Sequence, residues 1–252
     1  MSAPLPPEFL ARPITHRALH DRAAGRIENS PTAIKAAVEH GYGIEIDLQL
    51  SADGQAIVFH DYDLSRLTEA KGPVQLRTAE ELAQIALKDS TDTIRTLPEI
   101  LEIVAGKSPL LIEIKDQDGA MGRDVGLLEN AVVVALETYS GPAAVMSFNP
   151  HSVALFADLA PNLPRGLTTC AYTQQDMPHL SPATRASLAG FPDFERIGAS
   201  FISHDAKDLD APRVHEIKQT GYPVLCWTIR SADEERAARR IADNVTFEGY
   251  LP

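Results

Sequence analysis

Short apolar runs alternate with amphipathic segments of helical period along most of the chain, and this alternation constrains the fold most strongly. In residues 43–50, apolar residues such as Ile44 and Ile46 alternate strictly with polar ones. Because helical segments separate successive runs, we expect parallel strands. Eight such strands predict an α/β fold, the TIM (β/α)8 barrel, with a doubly wound sheet as the alternative. The predicted strands cover residues 14–16, 43–50, 110–115, 143–148, 165–169, 198–203, 222–229 and 244–247.

Local signals place helices between these strands. Ser30 followed by Pro31 is typical of a helix start, and Gly41 is suited to end that helix. Further helices are predicted near residues 78–87, 98–105, 123–139, 150–159, 182–189, 211–220 and 231–242.

Two regions depart from a regular barrel. A small insertion of about residues 51–96 follows the second strand and contains a short strand at 56–59. The pattern shows no helix after the last strand, so either the N-terminal segment covers that side or the barrel is open there. We expect residues 1–252 to form a single barrel domain that carries the inserted segment.

Acidic side chains lie on the inward-facing side of two predicted strands. Glu45 and Asp47 are two residues apart on the second strand, and Glu113 and Lys115 are two apart on the third. Inward side chains near the carboxyl end of a barrel strand reach the active-site face. Carboxylates there are costly unless paired or metal-bound, and three of them suit Mg²⁺ or Ca²⁺. The pattern favours one divalent cation over a simple buried ion pair with Lys115.

Two histidines follow predicted strands beside this cluster. His16 comes after the first strand, and His60 comes after the short inserted strand. Because imidazole titrates near neutral pH, a pair of histidines can divide the roles of acid and base. Arg17 and Lys115 add positive charge for an anionic group. With a divalent cation, this set is suited to displacement at phosphorus.

Several segments occur in one order and with close spacing. They are His16-Arg17, Glu28-Asn29-Ser30, Gly43–Asp47, Asp53-Gly54, Val58–Asp61, Leu64–Thr68, Leu97–Leu101, Leu111–Lys115, Ser147–Asn149 and Cys226–Ile229. Together they resemble the bacterial glycerophosphodiester phosphodiesterase family. The resemblance extends over about residues 14–250 and is most specific in the N-terminal third.

This resemblance implies a TIM-barrel hydrolase that converts glycerophosphodiesters to sn-glycerol 3-phosphate and an alcohol, using Mg²⁺ or Ca²⁺. The alternatives are a lysophospholipase D-type enzyme acting on lipids and a non-catalytic barrel that binds a phosphorylated ligand. The implied metal ligands are Glu45, Asp47 and Glu113, the acid–base pair is His16 and His60, and the phosphate contacts are Arg17 and Lys115. The resemblance implies that Glu28 binds near the metal or holds the first loop, and that Asn29 helps to hold that loop. It also implies that Asp61 orients His60. Trp227 is implied either to contact the substrate or to pack in the core.

Three positions depart from the family pattern or lie outside it. Ala18 stands where the family usually has glycine, so a positive φ there would strain the first loop. Glu248 lies in a C-terminal segment that replaces the usual family pattern, and the sequence favours a surface acid over a substrate contact. His204, at the end of the sixth predicted strand, is more typical of a loop histidine than of a pocket residue.

Acidic residues outnumber basic ones, 35 against 23, which gives a formal net charge of −12. This argues against a partner such as nucleic acid or an anionic membrane, although a bound cation would still permit an anionic substrate. The cysteines, Cys170 and Cys226, are expected to be reduced and buried. No run approaches the ~20 apolar residues of a membrane span, and the first eight residues lack the parts of a secretory signal. We therefore expect a cytoplasmic enzyme that acts on a small-molecule glycerophosphodiester.

Overall fold

The computed structural model describes residues 3–191 and 194–252, in which eight parallel strands close into a barrel. Strand β1 (Ile14–Thr15) pairs with both β2 (Gly43–Leu50) and β10 (Asn244–Phe247), which closes the sheet. The predicted TIM barrel is therefore confirmed, and the doubly wound alternative is wrong. The other barrel strands are β5 (Leu110–Ile114), β6 (Ala143–Ser147), β7 (Arg165–Thr169), β8 (Phe201–Asp205) and β9 (Val224–Ile229).

Most helices begin within about one residue of the predicted start, but the helix predicted near 123–139 begins only at Leu127, and several are shorter than predicted. Ser30 accepts a hydrogen bond from the Ala33 amide at the first helical turn after β1, and Gly41 ends that helix with a φ of 68°. The helices are α1 (Glu8–Ala11), α2 (Pro31–His40), α3 (Ala79–Ala83), α4 (Leu97–Val104), α5 (Leu127–Leu136), α6 (Pro150–Leu159), α7 (Pro182–Ala189), α8 (Pro212–Gln219) and α9 (Ala232–Ala238).

The segment inserted after β2 extends the sheet on one edge. Strand β3 (Ala56–Val58) pairs antiparallel with β2, and β4 (Arg95–Thr96) pairs antiparallel with β3. The insertion also has its own apolar cluster, in which Phe59 is buried. Because Phe59 is anchored there, the next two residues, His60 and Asp61, are held at the edge of the barrel mouth.

The N-terminal segment packs against the opposite end of the barrel. Phe9 on α1 is fully buried in one cluster with the strand residues Ile14, Phe201 and Leu225. The buried side chain of Asn244 on β10 donates hydrogen bonds to the carbonyls of Phe9 and Arg12, each at 2.7 Å. Residues 248–252 contain no helix, as predicted, and the barrel is not open on this side.

Three further expectations concern the chain as a whole. Among the described residues, no helix combines the length and apolar character that a bilayer span requires. Cys170 and Cys226 are both buried and unbridged, as predicted. The N-terminal segment expected to lack a secretory signal includes Met1 and Ser2, which lie outside the described residues.

Candidate active site

Three buried carboxylates meet inside the carboxyl-terminal half of the barrel. Asp47 on β2 is directly opposite Glu113 on β5, and Glu45 precedes Asp47 on the same face of its strand. One carboxylate oxygen from each residue lies within 4.8 Å of those from the other two. Their exposed fractions are only 2%, 1% and 6% for Glu45, Asp47 and Glu113. Charges this deeply buried require nearby positive charge.

Lys115 supplies part of that charge. Its Nζ lies 2.7 Å from Asp47 Oδ1 and also contacts Glu113 Oε1. Burial alone would lower the pKa of Lys115, but these two carboxylates raise it above its usual value. Burial alone would likewise raise the pKa of Asp47, but Lys115 holds it well below its usual range. The ion pair considered from the sequence is therefore present within a larger acidic cluster.

Glu45 differs from Asp47 in its surroundings. Its Oε2 accepts a hydrogen bond of 2.7 Å from the Arg17 backbone amide. Burial, and then the negative charges of Asp47 and Glu113, raise the pKa of Glu45 well above its usual value. Two adjacent cationic side chains, Arg17 and Lys115, thus face three carboxylates.

The loop between β1 and α2 holds Arg17 against this cluster. Arg17 Nη1 donates to Glu28 Oε1 at 2.8 Å, and Arg17 Nε lies 3.6 Å from Asp47 Oδ2. Asn29 Nδ2 donates to the same Asp47 oxygen at 2.8 Å. Arg17, Ala18 and Asn29 all have positive φ angles, of 53°, 67° and 58°. Ala18 therefore has the left-handed backbone that the family glycine would adopt without strain.

His60 is oriented by a carboxylate. Its Nδ1 lies 2.6 Å from Asp61 Oδ1, and Arg66 Nη2 donates to that oxygen at 3.0 Å. Burial alone would raise the pKa of Asp61, but the hydrogen bonds with His60 and Arg66 hold it well below its usual range. Because Nδ1 is engaged, Nε2 is the ring nitrogen of His60 that remains for the cavity.

Arg66 also joins the inserted segment to the first loop. Its Nη1 donates to Glu28 Oε2 at 2.8 Å and its Nη2 to Glu28 Oε1 at 2.7 Å, and Oε1 also accepts the hydrogen bond from Arg17. Glu28 thus binds two arginines and is outside the carboxylate cluster. The sequence contained Arg66 within a family-like segment but gave no signal of this bridging position.

His16 has an equivalent carboxylate partner that the sequence did not predict. Its Nδ1 lies 2.6 Å from Glu248 Oε2, and Arg230 Nη2 lies 2.7 Å from Glu248 Oε1. The expectation of a surface acid is wrong: the Glu248 side chain is only 20% exposed. The Glu248 amide bonds to the Ile229 carbonyl of β9, which fixes the chain beyond β10 beside His16.

The electrostatics of this second pair resemble those of His60 and Asp61. The hydrogen bond with His16 and the nearby ring of His20, whose Nε2 lies 3.4 Å away, hold the pKa of Glu248 well below its usual range. Burial lowers the pKa of His16, although the hydrogen bond and charge of Glu248 oppose this effect. Burial therefore favours the neutral form of His16, and Nε2 is the ring nitrogen not engaged by Glu248.

One cavity of about 70 Å³ brings most of the predicted residues together. The predicted residues Glu28, Asn29 and Asp61 are outside its lining and instead contact residues within it. Predicted residues in the lining are His16, Arg17, Glu45, Asp47, His60, Glu113, Lys115 and Trp227, and unpredicted ones are Met146, Phe148, Ser203 and Thr246.

The wall opposite the acidic strands is formed by β8, β9 and β10. Trp227 Nε1 donates to the Ser203 carbonyl at 3.0 Å, and the Trp227 ring packs edge-on against Phe148. The buried hydroxyls of Ser203 and Thr246 have no hydrogen-bond partner among the described residues. Small polar residues inside a strand carry no distinctive sequence signal, so these hydroxyls could be found only from the structure.

His204 is neither a loop histidine nor part of the cavity lining. It lies on β8 and is fully buried. Its Nδ1 is 2.8 Å from Thr169 Oγ1, and its Nε2 is 3.1 Å from the Asp208 carbonyl. These contacts indicate a packing residue within the barrel wall.

The profile of the Glycerophosphoryl diester phosphodiesterase family matches residues 16–246. The chain belongs to this family. The resemblance drawn from the sequence is thereby confirmed, and the protein is an enzyme of the phosphoric diester hydrolase class.

Individual relatives agree with this assignment. A glycerophosphodiester phosphodiesterase of Bacillus altitudinis is 35% identical over 151 residues, which are 56% of this chain and 61% of that protein. Another, from Bacillus subtilis (strain 168), is 27% identical over 211 residues, covering 77% of this chain and 69% of that protein. A phosphodiesterase of Oleispira antarctica, solved with the product sn-glycerol-3-phosphate, superposes with a TM-score of 0.78. The superposition covers 96% of this chain and 94% of that protein, with 24% sequence identity, and shows that the two share a fold.

Proposed function

We propose that this protein hydrolyses glycerophosphodiesters to sn-glycerol 3-phosphate and an alcohol, with Mg²⁺ or Ca²⁺ as its cofactor. The observation that supports this most strongly is the single cavity at which three carboxylates, two histidines and two cationic side chains converge. The names of the Bacillus relatives and the product in the Oleispira antarctica structure support the choice of glycerophosphodiesters as substrates.

Glu45, Asp47 and Glu113 are the residues that would hold the cation. Their donor set consists of carboxylate oxygens, which both Mg²⁺ and Ca²⁺ prefer, and the oxygens are near enough to share one ion. The cluster holds three carboxyl groups but only two adjacent cationic side chains, Arg17 and Lys115, so a divalent cation would supply the further positive charge that three ionised carboxylates need. When bound, the cation supplies positive charge that offsets the charge of the phosphate.

Arg17 and Lys115 are suited to bind the phosphate oxygens. Both side chains line the cavity. Glu28 forms an ion pair with Arg17, and Asp47 and Glu113 form ion pairs with Lys115. Arg17 Nε is buried, makes no hydrogen bond with any described residue and lies 3.6 Å from Asp47 Oδ2, so the protein does not fully pair this guanidinium. Glu28, Asn29 and Arg66 thus act by fixing the first loop.

His16 and His60 are suited to the two proton transfers. Their Nδ1 atoms face Glu248 and Asp61, which orients both rings and leaves Nε2 for the reaction. Because burial favours the neutral form of His16, we assign it the role of base toward the nucleophile. His60 then donates a proton to the departing alkoxide. The nucleophile is either water or the 2-hydroxyl of the substrate glycerol.

The direct experiment measures release of sn-glycerol 3-phosphate from glycerophosphocholine and glycerophosphoethanolamine. We expect His16→Ala and His60→Ala each to reduce kcat by about 10²- to 10⁴-fold. His215→Ala, which removes a half-exposed histidine on α8, is the matched control and should retain kcat. A barrel that only binds phosphorylated ligands would release no product, and an unchanged kcat in His60→Ala would contradict the acid–base assignment.

A further inference from the structure

A second imidazole lies beside Glu248, the carboxylate that orients His16. His16 Nδ1 lies 2.6 Å from Glu248 Oε2, and His20 Nε2 lies 3.4 Å from the same oxygen. Arg230 Nη2 pairs with the other carboxylate oxygen, Oε1, at 2.7 Å. The two histidines therefore share one oxygen, and negative charge that interacts with His20 stabilises His16 less.

His20 Nε2 is directed toward this oxygen as a donor. The atom is buried and makes no hydrogen bond of regular geometry with a described residue. A nitrogen lone pair that faced a carboxylate oxygen would be repelled by it, so Nε2 must carry the ring hydrogen. It keeps this hydrogen when the other nitrogen, Nδ1, is protonated as well. His20 is thus a donor toward Glu248 in both of its charge states.

His20 and Glu248 also line a cavity of about 490 Å³, bounded by residues 18–26, His40 and residues 247–251. This rear cavity shares no described lining residue with the catalytic cavity. Arginines in its lining are paired with aspartates, Arg22 with Asp89 at 2.6 Å and Arg26 with Asp21 at 3.3 Å. His20 is therefore placed outside the catalytic cavity and acts on it only through Glu248.

The other histidine of the proposed acid–base pair has a similar arrangement with a different donor. Asp61 Oδ1 lies 2.6 Å from His60 Nδ1 and also accepts a hydrogen bond from Arg66 Nη2 at 3.0 Å. In both pairs, one carboxylate oxygen faces the histidine Nδ1 and a second donor. Arg66 is permanently charged, whereas the donor beside Glu248 is an imidazole. A second donor on the shared oxygen is thus common to both pairs.

We propose that His20 is a positioning residue for His16, acting through the Glu248 oxygen that both rings share. By interacting with part of the negative charge on that oxygen, His20 weakens the stabilisation of protonated His16 and keeps the ring available as a base at lower pH. The proposal rests on the proposed function, in which His16 is the base. His20 lies outside the catalytic lining and does not touch the substrate.

Other groups that face His16 do not change when His20 is replaced. Burial lowers the pKa of His16, and the hydrogen bond and charge of Glu248 raise it. The charge of Arg17 lowers it further, and the charge of Asp47 raises it. A substitution at His20 therefore alters the contribution of Glu248 and leaves those of Arg17 and Asp47 in place.

The test is the pH profile of kcat/KM for glycerophosphocholine in His20→Ala. Without His20, Glu248 stabilises protonated His16 more strongly, so the pKa of His16 rises and the acid limb moves to higher pH. We expect a movement of about 0.4–1 pH unit, the range that corresponds to one hydrogen bond of ordinary net strength. His20→Leu, which restores side-chain volume without a donor, should move the limb in the same way.

Three further variants separate this effect from a loss of packing. His20→Gln places an amide donor near the position of Nε2 and should restore most of the wild-type profile. His40→Ala removes another histidine from the same lining, whose Nδ1 lies 2.8 Å from the Ala36 carbonyl, and should leave the limb unmoved. His20→Ala combined with Glu248→Gln should match Glu248→Gln alone, because the charge that the rings share is then absent.

An NMR titration of the His16 ring keeps the proposal independent of turnover. The protein is labelled at its eight histidines, and the His16 signal is assigned by its absence in His16→Gln. The titration midpoint of His16 should be higher in His20→Ala than in wild-type protein, and close to the wild-type value in His20→Gln.

The outcomes separate this proposal from the proposed function. A His16 midpoint that stays unchanged or falls in both His20→Ala and His20→Leu would overturn the proposal, and turnover of glycerophosphocholine would leave the proposed function standing. An equal rise in the Glu248→Gln background would also overturn it, because His20 would then act without Glu248. Failure to turn over any glycerophosphodiester, with a midpoint that rises only when Glu248 is present, would support the action of His20 and contradict the proposed function.

Discussion

Replacement of Glu248 by glutamine removes a negative charge that lies 2.6 Å from His16 Nδ1. This carboxylate has two effects on the histidine: it fixes the ring so that Nε2 remains for the cavity, and it stabilises the protonated ring. Glu248 is itself held by Arg230 and by His20, so its side chain is not free to move away. The substitution therefore tests whether a residue outside the catalytic lining controls one inside it.

The size of the effect follows from the type of hydrogen bond. A hydrogen bond to a charged group contributes about 1.5–3 kcal/mol, so its complete loss in Glu248→Ala should reduce kcat roughly 10- to 150-fold. Glutamine keeps an oxygen acceptor but loses the charge, which accounts for about half of the strength of such a bond. We therefore expect kcat to fall about 4- to 13-fold in Glu248→Gln. KM should change little, because Glu248 does not line the catalytic cavity.

The pH dependence gives a second readout whose direction is fixed by the structure. Burial lowers the pKa of His16, and Glu248 partly offsets this by favouring the charged ring. Removal of the carboxylate charge thus lowers the His16 pKa further. Because His16 acts as a base in its neutral form, the acid limb of kcat/KM should move to lower pH in Glu248→Gln.

The assay is release of sn-glycerol 3-phosphate from glycerophosphocholine across pH 4 to 9, with thermal unfolding measured in parallel. Glu235→Gln is the matched control, since Glu235 is also a shielded glutamate bonded to an arginine, with Oε1 2.7 Å from Arg239 Nε. It should lose a comparable amount of stability but retain kcat. An unchanged kcat together with an unmoved acid limb in Glu248→Gln would refute the reasoning.

Two other substitutions test separate parts of the structure. Asp61→Asn should lower kcat for glycerophosphocholine about tenfold with little change in KM, because only the charge of the hydrogen bond to His60 Nδ1 is lost. Steady-state kinetics measure both constants, and an unchanged kcat would exclude the proposed orientation of His60. Gly166→Ala should lower the free energy of unfolding in urea by about 1–3 kcal/mol, because a Cβ there would lie 2.5 Å from the Phe201 ring inside the barrel. An unaltered unfolding midpoint would show that this packing is looser than described.

The carboxylate cluster could be predicted because it depends on two simple periodicities. Alternation along β2 places Glu45 and Asp47 on one face, and parallel pairing brings Glu113 opposite Asp47. Both strands are long enough to show their pattern in the sequence. The insertion could also be recognised, because it interrupts the alternation of strands and helices.

Contacts between residues that are distant in the sequence could not be predicted. Glu248 reaches His16 only because β10 closes the barrel against β1, a contact between residues 232 positions apart. Arg66 reaches Glu28 because the insertion folds back over the first loop. His204 was expected in a loop because the sixth strand was predicted at 198–203, whereas β8 covers Phe201–Asp205 and buries that histidine.

The most direct test of the central claim is the metal dependence of product release. Protein freed of metal with a chelator should release no sn-glycerol 3-phosphate from glycerophosphocholine, and about one equivalent of bound Mg²⁺ or Ca²⁺ should restore release. Asp47→Asn should impair both metal binding and restoration. Asp243→Asn, which alters a lysine-paired aspartate outside the catalytic cavity, should impair neither. Full turnover by the chelated protein, or normal metal binding by Asp47→Asn, would contradict the account.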